Sequence, residues 1–218
     1  MGNHYKKLVG ERIYLSPVSM DDVEIFTKWL NDLEVTDYIG RSSALQTLEG
    51  EKDWVQNQVK NAEYLMTIVT TDNDQAIGNI SLVDINNLNR TAVLGILIGE
   101  EEYRSKGYGA EAIKLLLDFA FNYLNLNSVS LTLLEGNERA KKCYEKVGFK
   151  EFGRQRECIY LNGKYYDRIF MDILASEFKE EFINVLMNLQ KTQGIVEQYL
   201  YDEVEVEGSI ISYIIICR

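Results

Sequence analysis

Arg104-Ser105-Lys106-Gly107-Tyr108-Gly109 sets two glycines one residue apart, immediately before a run of apolar residues at helical spacing. Glycine carries no Cβ, so backbone amides at such positions can approach a ligand closely. The following positions Ile113, Leu116, Leu117, Ala120, Phe121 and Leu124 repeat at threes and fours, one face of an α-helix. The glycines therefore stand at a helix start, where unpaired N–H groups and the positive end of the helix dipole coincide. That combination binds anions, phosphates above all. The stretch has neither the Gly-Lys-Ser/Thr ending of a P-loop nor a Gly-x-Gly-x-x-Gly fingerprint. A tight loop whose glycines merely relieve crowding is the plainer alternative on these six residues alone.

The elements that must position this loop follow from periodicity. Thr91 to Gly99 is rich in Val, Leu and Ile and reads as a buried strand leading into it. The helix itself is expected over 107–125. Earlier, Arg12 to Leu15 alternates as a short strand ended by Pro17, the only proline. Ser19-Met20-Asp21-Asp22 is a capping box in which Ser19 can accept from the amide of Asp22. It opens a helix carrying Val23, Phe26, Trp29 and Leu30 on one face, closed by Asn31 and Asp32. A mixed polar stretch, 35–48, precedes a second helix over 49–61. Strands are expected at 64–70 and 76–85, joined by the turn Thr71-Asp72-Asn73-Asp74, and at 128–134. Asn137 opens a helix with Ala140, Cys143, Tyr144 and Val147 on one face and Gly148 as its left-handed end. Strands at 151–161 and 165–174 close on Asn162-Gly163, the strongest short hairpin signal. A mixed sheet with helices on its faces accounts for this order, an α/β class.

Composition bounds the function. The 218 residues suffice for one domain with an appendage, and 46% hydrophobic with 26% charged residues is an ordinary globular balance. A formal charge of −11 argues against a general nucleic-acid binder and suits either a cationic substrate or simply a solvated acidic surface. Cys143, Cys158 and Cys217 are scattered and His4 is the sole histidine, so neither a zinc site nor a His-based triad is expected. No metal is expected. No leader-like segment or membrane-length apolar run stands in the sequence, and a cytoplasmic protein without membrane or nucleic-acid partners is the expectation.

The order of Arg104-Ser105-Lys106-Gly107-Tyr108-Gly109, then Asn137-Glu138-Arg139-Ala140, Tyr144 and Gly148-Phe149, resembles the GCN5-related N-acetyltransferase (GNAT) superfamily. Within it, the chain looks most like the branch of ribosomal-protein N-terminal and spermidine N-acetyltransferases. The resemblance covers residues 8–176 and implies an α+β GNAT fold. That fold has a mixed, mostly antiparallel sheet of six to seven strands flanked by about four helices. It implies acetyl transfer from acetyl-CoA to a primary amine. Carried over by position, the amides of Arg104, Ser105, Lys106, Gly107, Tyr108, Gly109 and Ala110 would hold the CoA pyrophosphate. Leu97, Ile98 and Gly99 would offer backbone groups to the acetyl carbonyl and pantetheine from a strand that splays from its neighbour. Asn137 and Ala140 would lie beside the pantetheine arm, although Asn137 also reads simply as an N-cap. Tyr144 would protonate the departing thiolate; on spacing alone it is a core aromatic.

Two departures qualify the resemblance. Many relatives carry a glutamate on the strand before the cradle, where this chain has Ala92-Val93-Leu94-Gly95. The base is therefore unassigned: either the amine reaches the site already neutral or another carboxylate serves, and neither Asp84 nor Glu157 is singled out for it. Spermidine acetyltransferases match at Asn162-Gly163-Lys164-Tyr165 but have paired glutamates where this chain reads Gly40-Arg41-Ser42, so the acceptor stays open. A catalytically silent acyl-CoA-binding module and an unrelated nucleotide-binding domain are the rival readings. Residues 1–176 form the expected catalytic domain and 177–218 an extension of helix, acidic linker and apolar strand. The helix would carry Phe178, Phe182, Leu186 and Leu189; the apolar run Ile210 to Cys217 should add to a sheet edge or pair in a homodimer.

Overall fold

The computed structural model describes residues 4–40, 42–61, 64–178, 203–206 and 209–212. They fall in two compact units, Met1–Phe178 and Lys179–Arg218. The first unit is built on an eight-stranded sheet. Its strands are β1 (Leu8–Val9), β2 (Ile13–Pro17), β3 (Tyr64–Thr70), β4 (Ala76–Asn86), β5 (Thr91–Ile98), β6 (Ser128–Leu134), β7 (Lys150–Leu161) and β8 (Lys164–Leu174). Their order across the sheet is β1-β2-β3-β4-β5-β6-β8-β7. Every pairing is antiparallel except β5 with β6. This is the α+β GNAT arrangement expected, with one strand more than the sequence pattern suggests. The addition is β1, whose two residues are too few to show a period.

The α-helices of this unit include α1 (Val23–Leu30), α2 (Leu33–Thr36), α3 (Leu48–Asn61), α4 (Tyr108–Asn122) and α5 (Glu138–Val147), with short 3-10 turns besides, and residues 175–178 are helical. The one-turn α2 begins two residues before the mixed polar stretch 35–48 and runs into it. Its N-cap is Asp32, whose carboxylate accepts from the Glu34 amide. The expected capping box is present, on the 3-10 turn Met20–Asp22 that leads into α1. Ser19 Oγ accepts from the Asp21 amide at 3.2 Å, while the Asp22 carboxylate accepts from the Ser19 amide at 2.8 Å. Asp22 is buried, and Thr67 donates to it at 2.7 Å with His4 Nε2 at 2.8 Å. Burying a polar group without such partners would be costly.

Two apolar clusters fill the layers. Ile113, Leu116, Leu117 and Ala120 of α4 pack with Ile68, Ile80, Leu94 and Val129 of the sheet. Val23, Phe26 and Trp29 of α1 pack with Val55 of α3, Leu65 and the partly buried Leu97. Each fully buried Leu, Ile or Phe contributes about 1.5–3 kcal/mol of transfer free energy. Alternation along β5 links the clusters, since Leu94, Ile96 and Ile98 join the first and Leu97 the second.

The sheet opens at one place. The parallel pairing of β5 and β6 covers only Thr91 to Val93 against Ser128 to Ser130. Beyond it, β5 stays with β4 as far as Ile98 opposite Gly78, and β6 stays with β8 as far as Leu134 opposite Arg168. Leu94–Ile98 thus has a partner on one side only. The hairpin of β7 and β8 turns on Asn162 and Gly163, both left-handed at φ 49° and 80°, as a two-residue Asn-Gly turn requires.

In the second unit, β9 (Glu203–Val206) pairs antiparallel with β10 (Ser209–Ser212). The acidic stretch read from sequence as a linker is therefore a strand, consistent with its Glu-Val-Glu-Val alternation. The expected helical positions Phe182, Leu186 and Leu189 and the end of the apolar run from 213 lie outside the described residues. Phe178 is described, its ring 5.5 Å from that of Phe121. No helix among the described residues is long and apolar enough to cross a membrane.

Candidate active site

The loop into α4 owes its shape to two left-handed residues. Ser105 has φ 61° and Gly107, the N-cap, has φ 89°. Alternation of this kind curls successive amides toward one side, an anion-binding concavity. The amides of Tyr108, Gly109 and Ala110 then open the first turn, where helix geometry supplies no acceptor. Side chains brace the loop from behind. Arg12 donates from Nη1 to the Lys106 carbonyl at 2.9 Å, pairs through Nε with Glu111 at 3.0 Å and covers the Tyr108 ring at 4.4 Å. Arg104 reaches back to the strand end, donating to the carbonyls of Ile98 at 3.2 Å and Gly99 at 2.6 Å.

The open stretch of β5 presents backbone groups in a definite phase. The Gly99 amide donates to the Ile77 carbonyl at 2.9 Å, so odd-numbered residues of this stretch face β4. The Arg90 carbonyl accepts from the amides of Asn127 and Ser128, so even-numbered residues face β6. Antiparallel geometry makes these sides alternate strictly. Leu94, Ile96 and Ile98 therefore turn their amides and carbonyls into the gap, and Arg104 takes the Ile98 carbonyl. This corrects the expectation for Leu97 and Gly99. Leu97 faces β4 with its backbone, and its side chain packs against the α1 cluster. Gly99 has its amide on Ile77, its carbonyl on Arg104, and the Trp29 indole over its α-carbon, where a Cβ would lie 2.1 Å from the ring.

A cavity of about 800 Å³ joins these features. Of the residues singled out from sequence, Leu97, Ile98, Arg104, Ser105, Gly107, Gly109, Ala110, Asn137, Ala140 and Tyr144 line it. Gly99, Lys106 and Tyr108 do not; Tyr108 instead packs edge-on to Tyr103 at 5.2 Å. Asn137 caps α5, its Oδ1 accepting from the Ala140 amide at 3.1 Å, and it is buried at the cavity wall. Tyr144 lies on the face of α5 turned to the cavity, its ring 6.1 Å from that of Phe149. Its hydroxyl makes no hydrogen bond among the described residues. Burial pushes its phenol above the ordinary tyrosine value, Cys143 adds to the rise and Arg139 opposes it. Burial likewise raises the Cys143 thiol, with Lys146 opposing.

The cavity is electrically polarised. Arg104, Arg139, Lys142 and Lys146 line the side formed by the loop and α5, and Arg168 lines it from β8. Glu34 and Glu51 line the side formed by α2 and α3, together with Tyr38 and Trp54. Neither Asp84 nor Glu157 lines it. Glu51 is 1% exposed and accepts from Gln46 Nε2 at 2.8 Å. Sequence reasoning passed over Glu51 and Trp54, although Glu51 shares a helical face with Val55, the buried residue one turn on. Among the described residues, no group of three His, Cys, Asp or Glu side chains could hold a metal ion.

The family model described as an acetyltransferase (GNAT) domain matches residues 12–150. The SPbeta prophage-derived uncharacterized N-acetyltransferase YokL of Bacillus subtilis is 29% identical over 170 residues, 78% of this chain and 94% of that protein. Spermidine N(1)-acetyltransferase of Escherichia coli K12 is 35% identical over 114 residues, 52% of this chain and 60% of that enzyme. Spermidine N-acetyltransferase from Vibrio cholerae, in a crystal structure with CoA and spermine, superposes with a TM-score of 0.71 at 26% identity, covering 78% of this chain and 99% of that one.

Proposed function

The chain belongs to the GNAT acetyltransferase family and is an N-acetyltransferase, and from that premise we propose that it transfers acetyl from acetyl-CoA to a cationic primary amine by direct attack, with Tyr144 as general acid. The observation that carries this reading is one cavity running from the α4 N-terminus along the open stretch of β5 to Tyr144, basic toward α5 and acidic toward α3. In this reading the CoA pyrophosphate lies on the amides between Ser105 and Ala110, where the helix start favours negative charge. The pantetheine arm fills the gap beside β5, using the backbone groups of Leu94 and Ile96 that no neighbouring strand satisfies. Asn137 and Ala140 border it from α5.

The amine nitrogen, having given its ammonium proton to solvent, attacks the thioester carbon as the free base, and the carbonyl oxygen becomes an oxyanion. The Ile98 amide is the donor we assign to it; a preorganised donor of this kind is worth about 3–4 kcal/mol. Collapse breaks the C–S bond, the sulfur takes the Tyr144 phenolic proton as it leaves, and the proton shed by the nitrogen as the amide forms passes through solvent and restores the phenol. A phenol whose pKa is raised keeps its proton throughout the neutral range, so the acid is loaded whenever substrate arrives. Glu34 and Glu51 offer the acceptor a negative wall. Spermidine, the substrate in the names of two relatives, belongs to the class such a wall suits. The working molecule is proposed to be a homodimer.

The test is thiol release from acetyl-CoA across spermidine, amino sugars and peptide N-termini, with Tyr144→Phe in parallel. One amine class should turn over. The variant should lose about 10²–10⁴ of kcat while binding acetyl-CoA within twofold of the parent. Full activity in the variant removes the acid assignment, and failure to bind acetyl-CoA removes the cradle.

A further inference from the structure

The wall of the cavity opposite α5 hangs from α1, and the last turn of α1 is joined by hydrogen bonds to the residue that follows the end of the donor strand. Trp29, in the last turn of α1, is 1% exposed, and its indole lies flat against Gly99 at the end of β5. A Cβ at Gly99 would fall within 2.3 Å of three indole carbons, so only glycine admits this approach. The indole Nε1 donates to Glu100 at 2.8 Å, and Lys28 Nζ meets the same carboxylate oxygen at 2.9 Å. Burial works against the Glu100 charge, but the hydrogen bonds from Trp29 and Lys28 and the charges of Lys28 and Arg104 outweigh it, holding the carboxyl below the usual glutamate range.

Both sides of this joint lead directly into the site. On the α1 side the next residue, Leu30, lines the cavity, as do Glu34, Val35 and Tyr38 beyond it. On the β5 side, Ile98 lines the cavity and Arg104 bonds the carbonyls of Ile98 and Gly99. Trp29 and Glu100 themselves are absent from the lining, so they act through neighbours. We infer that the Trp29–Glu100 contact across Gly99 is a positioning joint that fixes the Leu30–Tyr38 wall relative to the Ile98 amide, and so sets acceptor engagement separately from acetyl-CoA binding. The inference rests on the acceptor lying against that wall.

The variants are Trp29→Phe, which keeps an aromatic ring on Gly99 and removes the donor, Glu100→Ala, and the double variant. With the most active amine of the panel above, each single variant should raise the acceptor KM about tenfold while leaving the acetyl-CoA Kd within twofold. The double variant should be no worse than the singles, because both remove one shared interaction. Purely additive effects, or acceptor KM at the parent value with only a lowered Tm, would show packing alone and overturn the joint. An equal loss of acetyl-CoA affinity would also overturn it. Hydrogen exchange on the full chain supplies a readout that needs no acceptor. Acetyl-CoA should slow exchange across residues 33–39 in the parent and not in Trp29→Phe, and equal slowing in both overturns the joint. If the parent turns over no amine while this difference persists, the joint stands and the transferase reading fails.

Discussion

Tyr144 is a weaker acid than a free phenol because burial disfavours its phenolate, more than Arg139 nearby can relieve. The direction matters for pH dependence. The catalytically useful form is the protonated one, and a raised pKa extends that form upward from the ordinary value of about 10. Loss of Tyr144 as acid should therefore begin only above pH 10. With saturating substrates, kcat in the parent should show no alkaline fall below that pH that vanishes in Tyr144→Phe. A limb with an apparent pKa near 8 or 9, absent from the variant, would mean the phenol is not buried as described. Asn137 shows a different economy at the same scale. Its carbonyl oxygen caps α5 while the side chain stands at the cavity wall, so both readings open to it from sequence describe one residue.

Gly107 and Gly109 look alike in sequence, yet the element they begin needs them for different reasons. Gly107 is left-handed at φ 89°, and a Cβ there would also stand 3.2 Å from Arg12 Nη2. Gly107→Ala should lower stability by roughly 1–2 kcal/mol, the cost of a left-handed backbone for an L-residue. Gly109 has ordinary helical backbone, and an added Cβ would meet nothing nearer than 3.8 Å, at Ile96 and Ile98 of the cavity wall. Gly109→Ala should leave Tm unchanged or slightly higher, since alanine is the better helix former. Its acetyl-CoA Kd should rise by about tenfold, near 1.4 kcal/mol, because the methyl sits where the ligand must come close. Thermal melts paired with titration calorimetry separate the two, and a stability loss in Gly109→Ala would contradict the assignment. Elements such as α4, β5 and the β7–β8 hairpin were legible because their signals are local: helical spacing, a Val/Leu/Ile run, and Asn162-Gly163. What sequence could not show depends on phase between distant elements. Which amides of β5 face the gap is set by register with β4, Glu51 and Trp54 reach the cavity by the rotation of α3, and Gly99 is glycine because of a tryptophan seventy positions earlier. The two-residue β1 and one-turn α2 are simply too short for a period to register.

For the molecule as a whole, a formal charge of −11 should repel a polyanion such as CoA at long range. The cavity reverses that sign locally, since Arg104, Arg139, Lys142, Lys146 and Arg168 all line it. Near charges win over distant ones because Coulomb energy falls with separation and salt screens exposed charges beyond about 8–10 Å. Binding of acetyl-CoA should therefore be governed by the lining rather than by the net charge. Between 0.1 and 1 M KCl the screening length shrinks from about 10 to about 3 Å, and the acetyl-CoA Kd should rise on the order of tenfold. The acidic surround predicts the opposite once the lining is weakened. In a Lys142→Glu, Lys146→Glu double variant, affinity should be lower at 0.1 M KCl and should hold steady or improve as salt is added, because repulsion is then what salt removes. Both side chains are exposed on α5, so the substitutions leave the packed core alone. A parent Kd that stays flat or falls with salt would mean that the acidic surface, and not the basic lining, controls how the donor meets this enzyme.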